Sequence, residues 1–108
     1  MNNSEQEFLP IRNGLLEFVL LRLIAARAVY AGEILESLEK TPFATQEGTL
    51  YPLLSKMRRD GYLEYEWQES SAGPPRKYYS LTHKGNGQLK EIEKYWQSII
   101  SSIKQIGK

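Results

Sequence analysis

The stretch TQEGTLYPLLSKMRRDGYLEYEWQ (residues 45–68) changes its hydrophobic period halfway along. Up to Arg59, the residues Leu50, Leu53, Leu54 and Met57 recur three and four apart, the spacing of one helix face. Thr45 offers an N-cap oxygen, and Glu47 places a carboxylate in the first turn, where the helix dipole favours it. A helix is therefore expected from about Gln46 to Arg59. Asp60-Gly61 closes it, glycine suiting the left-handed position past a helix end. From Tyr62 the period becomes two: Leu63, Tyr65 and Trp67 alternate with Glu64, Glu66 and Gln68, the pattern of a half-buried strand.

Reading outward, residues 33–40 put Ile34, Leu35 and Leu38 on one face after a break at Ala31-Gly32. Thr41-Pro42 stops them, because the residue before a proline is pushed out of the helical region. Two short helices joined by a tight turn give the helix-turn-helix outline. Downstream, SSAGPP (residues 70–75) reads as a long polar tip and RKYYSL (76–81) as a second strand. A hairpin directly after the second helix stands where a wing belongs. Residues 8–28 carry Leu15, Leu16, Phe18, Val19, Leu20, Leu21, Leu23 and Ile24, apolar on nearly every side, and such a helix needs cover on two faces. It is either the central helix of a monomer core or a helix shared between the domain and a second copy. Thr82 caps a last helix in which Leu89, Ile92, Trp96, Ile99, Ile103 and Ile106 alternate three and four apart, a coiled-coil seam that Ile100 widens.

The expected fold class is thus α+β, mainly helical. A tail (residues 1–7) precedes a winged helix-turn-helix with an N-terminal helix (8–85), and a long C-terminal dimerisation helix follows (86–108). A chain of 108 residues has room for one modest core. With no cysteine, disulfides, thiolate nucleophiles and most structural zinc sites are excluded, which fits a cytoplasmic protein. The polar start lacks the basic residues of a secretion signal, and Glu17, Arg22 and Arg27 interrupt the most apolar run, so no membrane span is expected. One histidine (His83) and one aspartate (Asp60) supply a hydrolytic triad poorly, and His83 lacks partners for a metal. Neither enzyme activity nor a cofactor is expected.

The net charge is only +1, so binding to nucleic acid requires that the positive charge be gathered on one face. Lys56, Arg58 and Arg59 end the second helix of the pair, and Arg76 and Lys77 open the second strand. Such groups bind phosphates, while residues at the front of a recognition helix read bases. Here the front offers Thr45, Gln46, Thr49 and Tyr51. Gln46 can pair bidentately with adenine, threonine or tyrosine can meet a thymine methyl or a phosphate, and Gly48 lets the backbone approach closely. A solvated basic helix end explains Lys56, Arg58 and Arg59 equally well in isolation; Arg76-Lys77 on the wing tips the reading toward double-stranded DNA.

GTLYP (residues 48–52), LLSKMRRDGYL (53–63) and GPPRKYYSLT (73–82) together resemble the PadR family of transcriptional regulators, over about residues 15–85. The resemblance implies a winged-helix homodimer, usually a repressor, whose helix bearing Gly48 to Tyr51 enters the major groove of an operator while the wing at Arg76 and Lys77 meets the backbone or minor groove. The chain departs from the family pattern at Tyr30-Ala31-Gly32-Glu33-Ile34, where His-Gly-Tyr-Glu-Ile is common. Compact members of the family hold flat aromatic drugs in a pore at the dimer interface between tryptophans of the C-terminal helices. The resemblance places Trp96 in that role, with Phe8, Leu15, Val19, Ile92, Ile99 and Ile100 as wall residues and a planar aromatic molecule as effector. An aromatic at a seam position also simply packs the seam. The rival to a homodimer is a winged helix whose last helix recruits another protein.

Overall fold

The structure, a computed structural model, describes residues 6–108, so most of the expected tail (residues 1–5) lies outside the described residues. Helix α1 (Leu9–Ala26) opens on Pro10, whose missing N–H costs nothing in a first turn, and buries Leu16, Leu20, Leu21 and Ile24. Arg27 turns extended, and Val29 pairs with Tyr79 of the hairpin through bonds of 3.0 and 2.7 Å. Helix α2 is Ala31–Leu38, α3 is Glu47–Arg59, β1 is Leu63–Ser70, β2 is Gly73–Leu81 and α4 is His83–Gln105. The winged helix-turn-helix expected from the periodicities is the fold observed.

Three local expectations are corrected. Ala31 and Gly32 do not break α2 but begin it, because Glu33 stands third in the helix and its Oε1 accepts the Tyr30 backbone N–H at 3.2 Å. The N-cap of α3 is Gln46, not Thr45, and no side chain caps it. Residues 41–46 are held both locally and from outside: the Thr41 hydroxyl donates to Leu38 O at 2.8 Å and accepts the Phe43 N–H at 3.1 Å, while the Arg12 guanidinium on α1 donates to Pro42 O at 2.7 Å and to Ala44 O. Finally, the hairpin tip is short. The strands run to Ser70 and Gly73, and the register steps from Gln68↔Arg76 to Ser70↔Gly73, so Pro74 and Pro75 together oppose Glu69 in a bulge. A bulge is where a strand tolerates residues that cannot donate to the ladder.

One apolar core joins every element: Leu20, Leu21 and Ile24 of α1, Ile34 and Leu38 of α2, Leu50, Leu54 and Met57 of α3, Leu63 and Tyr79 of the hairpin, and Leu89 of α4. Each fully buried leucine contributes roughly 1.5–3 kcal/mol of transfer free energy. The positions come from six elements, so the core forms only where all six meet. Helix α4 crosses the expected 85/86 division without a break, since Leu89 closes the core from inside the helix. The expected seam is therefore shared out. Leu89 and Ile92 serve this chain's own packing, Trp96 and Ile99 are half-buried, Ile103 is exposed, and Ile106 lies past the helix end.

The Thr82 hydroxyl fastens the base of the wing. It accepts the Gly85 N–H at 2.9 Å as the cap of α4 and donates to Gly61 O at 2.6 Å, where Gly61 (φ +86°) ends α3 in the left-handed region. The molecule measures 58 × 35 × 20 Å, its long axis reflecting the extended α4. Among the described residues no helix is long and apolar enough to cross a membrane.

Candidate nucleic-acid interface

With Leu50, Leu54 and Met57 buried, α3 turns Gly48, Pro52, Ser55 and Arg59 outward, all exposed. A Cβ built at Gly48 would meet no atom within 4 Å among the described residues, so none of them demands glycine there. The first turn carries no side-chain cap; only Thr49 and Leu50 return their N–H groups to Gln46 O, at 3.0 and 2.9 Å. The helix thus presents a bare N-terminus and a smooth outward line to whatever lies in front of it.

The expected contact residues divide between the two flanks of this line. Thr45, Gln46, Thr49 and Lys56 border a hollow between α1 and α3, together with Arg12 and Asn13. Tyr51, Arg76 and Lys77 border a cleft of about 380 Å³ between α3 and the wing, with Tyr30, Ser55 and Trp67. Arg59 lies on the line between the flanks, exposed. The cleft is polar and aromatic, lined by two cations, which suits a sugar-phosphate backbone rather than a small apolar ligand.

The basic residues are not equivalent. The Lys56 ammonium stands 3.0 Å from Asp60 and 3.3 Å from Glu17, and these carboxylates, Asp60 foremost, hold its pKa above the ordinary lysine value. It braces α1 against the end of α3. Arg58 lies over the Tyr65 ring at 4.8 Å. On the wing, cross-strand pairing puts Trp67 opposite Lys77 and Gln68 opposite Arg76, so the two adjacent cations leave on opposite faces of the hairpin. The Lys77 Nζ sits 4.4 Å from the centroid of Tyr65 and 5.4 Å from that of Trp67, while the Arg76 guanidinium carbon sits 4.3 Å from that of Tyr30.

Arg12 and Ser55 join this surface without having been singled out in the sequence, and so does Tyr30, which the sequence marked only as the start of the departure from the family pattern. Ser55 was recoverable, since it falls on the outward line that Gly48 and Arg59 define. Arg12 and Tyr30 were not, because their partners lie 30 or more residues away.

A second surface is apolar. Leu15, Val19, Ile92, Trp96, Ile99 and Ile100 are half-buried, whereas Phe8 (56% exposed) and Ile103 (63%) stand in solvent. On α1, Phe18, Val19, Arg22 and Leu23 frame an apolar hollow; of the expected wall residues, Val19 lines it. Arg22 reaches Glu93 at 2.6 Å and ties α1 to α4.

Residues 20–91 match the Transcriptional regulator PadR-like family. The chain is 39% identical to a PadR-like transcription factor of Bacteroides fragilis, whose structure superposes with a TM-score of 0.81 over 98% of this chain and 100% of that one. A PadR family transcriptional regulator from Eggerthella lenta, 27% identical, superposes with a TM-score of 0.86 over 95% of this chain and 90% of that one. An uncharacterised protein of Lysinibacillus sphaericus is 30% identical over 92 residues, covering 82% of this chain and 84% of its own length. The family match takes in both helices of the turn, the whole wing and the start of α4, and the chain accordingly belongs to the PadR-like family of transcriptional regulators, DNA-binding proteins and not enzymes.

Proposed function

We propose that this regulator is a cytoplasmic homodimeric repressor, released from its operator by a flat aromatic molecule at the dimer interface. In this reading α3 enters the major groove. Gln46 and Thr49 reach base edges, Thr45 and Tyr51 flank them, and Gly48 admits the helix backbone close to the duplex. Arg59, Arg76 and Lys77 meet phosphates or the minor groove, and Lys56 joins them only by exchanging its carboxylate partners for phosphate. Two copies double this contact set across two half-sites about one helical turn apart. Trp96 from each copy stacks on the effector, with Phe8, Leu15, Val19, Ile92, Ile99 and Ile100 as walls.

The observation that carries the dimer is the apolar surface that the described residues leave uncovered on α1 and α4, with Ile11 60% exposed on α1, and Ile103 63% exposed and Trp96 and Ile99 half-buried on α4. A self-complementary strip of this kind is the material of a two-fold interface. Ile103→Glu tests it, because a side chain already in solvent can be replaced without disturbing the core. The unaltered protein should sediment as a dimer and protect two half-sites in the DNA upstream of its own gene. The variant should sediment as a folded monomer and lose at least ten-fold in operator affinity. An unaltered protein that sediments as a monomer would favour the rival, an α4 that recruits a different protein.

A further inference from the structure

The segment that departs from the family pattern begins with Tyr30, and the structure gives that residue a definite neighbour. Tyr30 is the N-cap of α2, held by the Val29–Tyr79 bridge on one side and by the Glu33 carboxylate on its own N–H on the other. Its ring is therefore anchored by backbone to both the helix-turn-helix and the wing. The Tyr78 ring meets it edge-on, with centroids 5.4 Å apart at 64°. On the ring lies Arg76, 4.3 Å from the centroid. Among the described residues Arg76 forms no ion pair; the nearby Glu33 carboxyl is pushed up by burial but held below its ordinary pKa chiefly by the Arg27 guanidinium at 3.0 Å and the Tyr30 N–H, with Arg76 adding the least. Tyr30 and Arg76 line the cleft between α3 and the wing side by side.

We infer that Tyr30 is a positioning residue for DNA binding: its ring holds the Arg76 guanidinium at the mouth of the cleft before DNA arrives. An exposed arginine samples many rotamers, and fixing it at a phosphate costs conformational entropy. A cation over an aromatic face is attracted to it even in water, so the ring confines the side chain in advance. The face of a guanidinium stacked on a ring remains compatible with donation from its edge, so Arg76 can rest on Tyr30 and bind phosphate together. The inference rests on the reading of Arg76 as a DNA contact.

A double-mutant cycle on operator affinity tests it, with thermal stability and salt dependence measured alongside. Arg76→Ala should weaken binding and lower the salt slope by about one unit, since a phosphate contact is lost. Tyr30→Leu should weaken binding roughly two- to five-fold, the range of an exposed cation–π contact, while keeping the salt slope. Tyr30→Phe should retain the affinity. Tyr30→Leu in the Arg76→Ala background should cost nothing more. If the losses multiply, or if Tyr30→Leu alone is neutral while Arg76→Ala is not, the inference is overturned and the reading of Arg76 stands. If Arg76→Ala is itself neutral, both fall. Should Tyr30→Leu not fold, the unaltered protein still decides: stacking must shift the Arg76 δ-methylene protons upfield by ring current, and an ordinary position for them overturns the inference.

Discussion

Gly48 separates folding from function at a single position. A glycine within a helix is a cost of about 0.5–1 kcal/mol relative to alanine, and a helix that keeps one without an internal clash needs another reason. Since a Cβ there would touch nothing within 4 Å, Gly48→Ala should raise stability by up to about 1 kcal/mol in urea unfolding. The same change should weaken operator binding, by holding the helix away from the duplex. A variant that gains stability and keeps full affinity would show that the backbone does not approach DNA at this point. Lys56 is the opposite case. Its place beside Arg58 and Arg59 made it look like a third phosphate cation, but Glu17 on another helix and Asp60 one turn on both hold it. Only the second of those partners lies within reach of a sequence argument, through the four-residue spacing.

At the level of elements, the joints are more constrained than the helices. The loop from α3 to β1 passes so close to the start of α4 that a Cβ at Gly85 would lie 2.1 Å from Tyr62 O. Backbone cannot yield as a side-chain tip can. Gly85→Ala should therefore cost about 3 kcal/mol or more, with α4 displaced from the base of the wing. Chemical unfolding measures this, and a loss under 1 kcal/mol would mean that the joint is looser than the contact distance requires. The Thr82 cap at the same joint was legible, because the cap and the glycine three residues on are neighbours in sequence. The Thr45 cap was not there to be found. Arg12 holds Pro42 and Ala44 from 30 and 32 residues away, beside the local bonds of Thr41, and α3 starts one residue later than a threonine cap would put it. Pro74 and Pro75 misled in the same way: they read as a turn, yet a bulge opposite Glu69 keeps them in the strand.

For the whole molecule, the question is what covers the apolar strip and whether anything else enters it. In a symmetric pairing along α4, Trp96 would come near its mate, and the two indoles would accept a planar aromatic cation between them. Ethidium should then quench tryptophan fluorescence strongly. Trp67, 59% exposed in the cleft between α3 and the wing, would add its own signal, so the titration belongs in the Trp67→Phe form. Adding Trp96→Ala to that form should cost about 1–2 kcal/mol, roughly ten-fold in affinity. Unchanged dye affinity would make Trp96 a packing residue of the interface, and repression would then respond to some other signal or to none.

The sequence alone determined the order and type of the elements, because each helix or strand of a winged helix writes its own period into its own residues: three and four apart along α3, two apart from Leu63 to Trp67. It also determined the family, whose GTLYP and RKYYSLT blocks are local in the chain. Tertiary structure alone decided which charged side chains remain available. Arg12 became a clamp on the turn, Lys56 a brace to Glu17 on α1, and Arg76 a cation resting on Tyr30, three fates for residues of like charge. Hydrophobic period is a property of neighbours along the chain, whereas the state of a charge depends on groups brought beside it by packing, 30 to 46 residues away for Arg12 and Arg76.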